Sequence, residues 1–313
     1  MGPGRTTIAT QHLVKQFGDF TAVNGVDFEV HAGEIFGFLG PNGSGKTTTI
    51  RMMLGLLVPS DGSVHVLDIP VLENPAAIRT KVGYMSQHFS LYNDLTVEQN
   101  LRFYGTAYGL SNTKLVERMK TAIEMAGLTG REAEKTQTLS GGWRQRLALS
   151  AAILHEPEVL FLDEPTAGVD PVSRREFWEL LYKLVAEGVT VFVTTHYMDE
   201  AEHCHRLAFI QRGEIIATGT PTELRASMKD VSILEFEPSS TTEAVKILRR
   251  SIESGDLPAR SVELYGSSVH VVVRGEGGPG SNIKKILAQE GVETEGIREI
   301  EPSLEDVFIN YMR

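Results

Sequence analysis

The chain has 313 residues, 41% hydrophobic and 23% charged, a globular composition that excludes a disordered polymer. Thirty lysines and arginines face 41 aspartates and glutamates, and the formal charge of -11 argues against nucleic-acid backbone binding as the main task. The single cysteine, Cys204, rules out a disulfide within the chain, and no apolar run reaches the ~18 residues of a membrane helix. Met1-Gly2-Pro3-Gly4-Arg5 has no apolar signal core behind it, so the expectation is a cytosolic chain that meets a membrane only through a partner.

From Ile8 to about Lys229, short β-rich runs alternate with helical patterns, the signature of an α/β domain with a mostly parallel sheet. Glu34–Leu39, Val159–Leu162 and Val189–Thr194 read as strands, each followed by polar or glycine-rich residues, and ligands of such sheets sit beyond the carboxyl ends of the strands. Residues Leu95 to about Leu128 read as helical throughout, opened by the capping box Thr96-x-x-Gln99. Asp170-Pro171 reads as the N-cap and first-turn proline of a helix with the apolar stripe Phe177, Leu180, Leu181, Leu184 and Val185. A break near Lys229-Asp230 precedes a β-α-β-β-α-β order, which suggests a small ferredoxin-like α+β module. Its final helix starts at Ser303, with Asp306 completing a capping box, and Gly275–Gly280 reads as a flexible loop. Cys204 reads as a small helix residue and His270, alone on a strand, as structural.

Gly40-Pro41-Asn42-Gly43-Ser44-Gly45-Lys46-Thr47 matches G-x-x-x-x-G-K-[ST] in full, between a strand and an apolar-periodic segment (Ile50, Met53, Leu54, Leu57), and the expected nucleotide-binding residues run on to Thr48. Glycines at these places let backbone N–H groups surround a β-phosphate, with the helix N-terminus behind them. Lys46 then reaches the β- and γ-phosphates and Thr47 offers a hydroxyl to Mg²⁺. The apolar strand Leu160-Phe-Leu ends in Asp163, placed for the Mg²⁺ shell, and Glu164, placed to polarise a water.

Further segments follow in a recognisable order: Gln87 after Gly83-Tyr-Met-Ser, Leu139-Ser-Gly-Gly-Trp143, Ala167-Gly-Val-Asp170, and His196 thirty-two residues after Glu164. With these the chain resembles the ATP-binding cassette (ABC) ATPases over residues 8 to about 229. The resemblance implies a P-loop NTPase cassette over 1–229, with a RecA-like core and an α-helical subdomain at about 88–150, and leaves 230–313 as an accessory or regulatory domain. It further implies that Phe17 stacks on adenine, that Gln87 touches Mg²⁺ and the attacking water, and that His196 contacts the γ-phosphate. Ser140, Gly141 and Gly142 would bind the γ-phosphate of ATP held by a second subunit, and Asp170 would lie across that interface. The family usually has glutamine where Trp143 stands; the backbone donors of the signature are kept.

The task implied is ATP-driven closure of two cassettes, in a homodimer with two competent sites or in a heterodimer, that moves a separate membrane permease from the cytoplasmic face of the inner or plasma membrane. Glu301-Pro-Ser-Leu-Glu-Asp-Val-Phe308, Trp143 and Phe89–Thr96 look like cassettes of drug- and lipid-exporting systems, and Phe89, Tyr92, Phe103 and Tyr104 would then meet the permease. The alternatives are a soluble cassette acting on ribosomes or DNA, and an importer cassette. Ribosome-acting relatives carry two cassettes per chain, chromosome-type relatives insert a long coiled coil between the phosphate loop and Asp163, and many importers append a small barrel. This sequence shows none of these patterns.

Overall fold

The computed structural model describes residues 4–88, 90–228, 231–274 and 280–312. They divide into two compact units, Met1–Pro221 and Thr222–Arg313. The division falls ahead of the break expected at 229–230, which, like Phe89 and the run 275–279, lies outside the described residues.

The first unit opens with β1 (Thr6–Phe17), β2 (Phe20–His31) and β3 (Ile35–Leu39), followed by α1 (Lys46–Met53), β4 (Asp61–Val66), β5 (Ile69–Pro70), α2 (Pro75–Arg79) and β6 (Val82–Met85). Then come α3 (Val97–Ala107), α4 (Asn112–Met125), α5 (Gly141–Ile153), β7 (Val159–Asp163), α6 (Pro171–Ala186), β8 (Thr190–Thr195), α7 (Met198–Ala201), β9 (Arg206–Gln211) and β10 (Glu214–Gly219), with α8 (Pro221–Ala226) at the division. The main sheet runs β10-β9-β3-β8-β7-β6, parallel except for the β9–β10 hairpin. Its inner strands β3, β7 and β8 are buried along their whole length, as their continuous apolar or threonine character requires.

A second sheet, β2-β1-β4-β5, is antiparallel and was not among the elements expected from the sequence. Its core-facing residues Val23, Val26, Phe28 and Val30 pack with Ile50, Met52 and Met53 of α1 and with Phe36, Phe38 and Phe192 of the main sheet. Phe28 sits 5.5 Å from Phe36 and 5.7 Å from Phe192 in stacked geometry. Such pairs add roughly 0.5–1.5 kcal/mol each beyond burial, so the phosphate-loop helix is braced from both sides.

The segment expected to be helical throughout is all-α, and a turn divides it into two helices. Gly109, at φ +77°, ends the first, and Leu110 N–H closes onto the Gly105 carbonyl. Thr96 and Gln99 form the expected capping box, and α3, α4 and α5 share an apolar core through Leu101, Leu115, Met119 and Leu147. Cys204 lies in the turn after α7 rather than in a helix; it is buried, and that burial pushes its thiol up.

The second unit contains β11 (Val231–Pro238), α9 (Thr241–Ser254), β12 (Ala259–Tyr265), β13 (Ser268–Arg274), α10 (Gly280–Gln289), β14 (Thr294–Ile300) and α11 (Leu304–Tyr311). The strands pair antiparallel in the order β12-β13-β11-β14, the ferredoxin-like arrangement. Leu234, Phe236, Val269 and Val271 pack against Ala244 and Leu248 of α9 and Ile283 and Leu287 of α10. Strand register sets Glu263, His270, Glu235 and Arg298 in one row across the sheet. His270 is buried, with Nδ1 3.1 Å from Asp306 Oδ1 and Nε2 3.2 Å from Glu235 Oε2. Asp306 Oδ2 meanwhile completes the Ser303 capping box, so α11 is tied to the sheet through this imidazole.

The row makes the stability of this unit depend on pH. Burial opposes the charge on His270, but the bonds and charges of Asp306 and Glu235 outweigh it and hold the imidazole above its usual 6.5. Arg298 and then His270 hold Glu235 below 4.5; Asp306, despite burial, is held below 3.8 by His270 and Ser303. The His270 contribution is complete below about pH 6.5 and is lost as pH rises through the raised value. The two carboxylates contribute above their ordinary values and lose that contribution as pH falls through the depressed ones. Calorimetry of the full chain between about pH 5 and 9 is expected to show a transition that weakens towards alkaline pH, and flattens in His270→Gln. Parallel curves for parent and variant would refute the linkage.

Candidate active site

The register of the parallel strands assembles the site. Leu39 is opposite Thr195, Asp163 opposite Thr194, and Met85 opposite Leu162. The carboxyl ends of β3, β8, β7 and β6 therefore lie side by side, and the next residues are the phosphate loop, His196, Glu164 and Ser86-Gln87. Segments up to 156 residues apart in sequence meet because the strands that carry them are neighbours.

Two glycines in the loop are sterically required. A Cβ on Gly40 would fall on the Ile210 carbonyl oxygen, and one on Gly45, at φ +108°, would lie 2.5 Å from the Ala22 carbonyl oxygen. Gly45 caps α1 without a side chain, leaving the first backbone N–H groups of the helix facing the loop. Ser44 Oγ is buried with no hydrogen-bond partner among the described residues. These features make an anion cradle.

Lys46 and Glu164 form a buried ion pair: Nζ is 3.0 Å from Oε1, and the side chains are 4% and 7% exposed. The ammonium also donates to the Gly40 and Pro41 carbonyls at 2.8 and 3.1 Å. Gln87 Nε2 donates to Glu164 Oε2 at 3.0 Å, and His196 Nδ1 lies 3.2 Å from the same oxygen. Glu164 itself sits at φ +47°, a left-handed conformation costing roughly 1–2 kcal/mol for a residue with a Cβ. Its N–H is held by Thr194, through the carbonyl at 3.1 Å and Oγ1 at 2.9 Å. The local strain aims the carboxylate at the phosphate loop.

Asp163 Oδ1 accepts from Thr47 Oγ1 at 3.1 Å and from Thr194 Oγ1 at 2.8 Å. Burial raises its pKa and Glu164 adds to this, while the two threonine bonds and Lys46 work the other way. A divalent cation would relieve that cost. Among the described residues no group of three or more His, Cys, Asp or Glu is placed to hold a metal ion. A cation here would instead use a hydroxyl, one carboxylate, an amide oxygen and phosphate oxygens, a hard-donor set that suits Mg²⁺.

The structure thus brings Lys46, Thr47, Gln87, Asp163, Glu164 and His196 together. No hydrogen bond or ion pair among the described residues ties Phe17, Ser140, Gly141, Gly142 or Asp170 to that cluster. Phe17 is half-exposed at the end of β1, with Lys15 Nζ 5.1 Å from its ring centre and the still more exposed Phe20 paired opposite. Ser140 is the N-cap of α5 and makes no side-chain capping bond; the Cβ position of Gly141 faces open space, while Gly142 is pressed against Ser173. Asp170 caps α6, accepting from Val172 and Ser173 N–H at 3.1 and 3.0 Å, and these bonds keep its carboxyl below the usual range. Trp143 packs against the helical core, with the guanidinium groups of Arg131 and Arg146 at 4.4 and 4.8 Å from its ring.

Thr194 is the site residue the sequence reading missed; its signal was the threonine pair immediately before His196.

Residues 23–167 match the ABC transporter family. The linearmycin resistance ATP-binding protein LnrL of Bacillus subtilis is 35% identical over 311 residues, covering 97% of this chain and 97% of that protein. The chain belongs to the ATP-binding cassettes of ABC transporters. A relative in Escherichia coli named for multidrug ABC transport, YbhF, is 50% identical over 241 residues, 77% of this cassette chain and 41% of its own length. This chain therefore spans less than half of that relative. A solved dimeric, post-hydrolysis ATP-binding cassette bound to ADP and Pi superposes with a TM-score of 0.62 at 28% identity, covering 68% of this chain and 98% of that one. Among the described residues no helix is long and apolar enough to cross a membrane.

Proposed function

We propose that this cassette is the motor of an exporter of hydrophobic drugs or lipids, driving a separate membrane permease through ATP-dependent closure of two cassette chains at the cytoplasmic face of the membrane. The observation that carries the catalytic half is the convergence of Lys46, Gln87 and His196 on the Glu164 carboxylate, beside an anion cradle. The relatives named for multidrug transport and linearmycin resistance support export.

In this reading the loop 40–45 and Lys46 hold the β- and γ-phosphates, with Thr47 and Thr48 at the start of α1. Thr47, Asp163 and Gln87 hold Mg²⁺, which supplies charge neutralisation on the phosphates. Glu164 takes one proton of a water whose oxygen bonds to the γ-phosphorus as the bond to the ADP oxygen breaks. A γ-phosphate competes with Glu164 for the Lys46 ammonium, which frees the carboxylate for that water. Gln87 and His196 then fix its second oxygen.

The open N-terminus of α5, with Ser140, Gly141 and Gly142, presents backbone donors to ATP on the partner chain, and Asp170 works across the same dimer interface. Phe17 stacks on adenine. Tyr92 and Phe103, exposed and 4.7 Å apart edge to face, receive the permease, with Tyr104 bonded to the Ser90 carbonyl beneath them. The C-terminal unit serves as a regulatory or dimer-stabilising module.

Tagged Glu164→Gln chain, drawn from detergent-solubilised native membranes with ATP present, tests the transporter reading. A multi-spanning membrane protein at one-to-one ratio with the cassette is the expected result. Ribosomal or DNA-associated partners with nothing from the membrane would overturn it.

A further inference from the structure

Glu200 is 1% exposed on α7, four residues after His196, and nothing in the catalytic reading uses it. Its Oε1 accepts from Thr166 Oγ1 and lies 3.6 Å from Arg174 Nε; its Oε2 has no hydrogen-bond partner among the described residues. Arg174 also holds Asp199 at 3.2 Å and lies 4.3 Å over the ring of Tyr197, which in turn is 4.2 Å from the His196 ring. On the other side, Thr166 is two residues past Glu164, in a turn closed by Ala167 N–H to the Glu164 carbonyl. Gln145, fully buried in α5, donates to the Pro165 carbonyl at 2.8 Å.

A buried carboxylate with one unsatisfied oxygen is costly relative to water and persists only where other contacts over-determine it. Here it joins the two backbone segments that carry Glu164 and His196, whose side chains meet at 3.2 Å. We propose that Glu200, through Thr166 Oγ1 and Arg174, is a positioning residue that fixes the His196–Glu164 pair for ATP hydrolysis. The proposal rests on the catalytic reading above. Glu200 sets the distance between Glu164 and the imidazole that meets its carboxylate, and about 1 Å of misplacement there costs on the order of 10²-fold in rate.

The test is steady-state ATP turnover by full-length Glu200→Gln, Thr166→Val and Thr166→Ser, with Glu164→Gln as reference. Glu200→Gln and Thr166→Val are expected to lower kcat about 10- to 100-fold with KM for ATP nearly unchanged, and Thr166→Ser, which keeps the hydroxyl, to restore most of the parental kcat. Amide exchange at 166–169 and 196–201 is expected to speed up in the first two variants and not elsewhere, a readout that needs no turnover. If Glu200→Gln does not fold, the two Thr166 variants decide. Parental kcat in Glu200→Gln and Thr166→Val, beside an inactive Glu164→Gln, would overturn the proposal alone. Parental turnover in Glu164→Gln would remove the catalytic base and this proposal with it.

Discussion

Glu164→Gln is expected to keep ATP bound while lowering turnover by about 10²–10⁴-fold, the range for loss of a positioned general base. On the barrier that is roughly 3–5 kcal/mol. Glutamine is nearly isosteric, and its amide oxygen still accepts a hydrogen bond where Gln87 and His196 reach the carboxylate. What disappears is the charge that now competes for Lys46 and would take the proton from water. Loss of the competitor sharpens the expectation: affinity for ATP in the variant should equal or exceed that of the parent. Equilibrium binding of radiolabelled ATP alongside turnover checks both halves. Parental turnover would move the base to another residue.

Lys46→Ala should act in the opposite direction on binding. Its ammonium is the cation inside the phosphate cradle, and hydrogen bonds to charged groups are worth roughly 1.5–3 kcal/mol. ATP should therefore bind on the order of 10- to 100-fold more weakly, and turnover should fall to background. The variant also leaves Glu164 buried without its ammonium partner, a change that typically costs roughly 3–5 kcal/mol of stability. A lowered melting temperature that recovers in Lys46→Ala/Glu164→Gln would identify the stranded charge as the cause. Full ATP affinity in Lys46→Ala would contradict the assignment of the loop.

The cluster around Glu164 was largely legible in the sequence because the phosphate loop, Glu164 and His196 follow strand endings that are themselves readable; Gln87 follows β6, which was not read as a strand, and entered through the family resemblance. Continuous apolar runs mark the strands, and the residues after them carry the chemistry. The antiparallel sheet was not legible. Register shifts between Thr10 and Leu13, and again before Lys15 and Gln16, break the alternation that identifies a half-buried strand. The split of the helical run was available in Gly109 and the following Ser111, but the apolar period continues on both sides of it. The partners of His270 lie 35 and 36 residues away in sequence, so that a histidine without close neighbours became the centre of a charged row only through strand register and α11. Glu200 escaped for the same reason: Thr166 and Arg174 are neighbours of Glu164 and Asp170 in sequence, and of Glu200 only in space. Trp143, which departs from the usual signature residue, serves packing: its half-buried ring lies against the helical core, with two arginine guanidinium groups over it.

In the proposed cycle, ATP closes two copies of this chain around two catalytic sites that Glu164 then discharges. Light scattering of full-length Glu164→Gln with ATP and Mg²⁺, combined with a count of retained nucleotide, tests it most directly. A dimer holding two unhydrolysed ATP molecules, reverting to monomers in the Lys46→Ala background, is the expected result. A monomer at saturating ATP, or a dimer holding ADP, would contradict it.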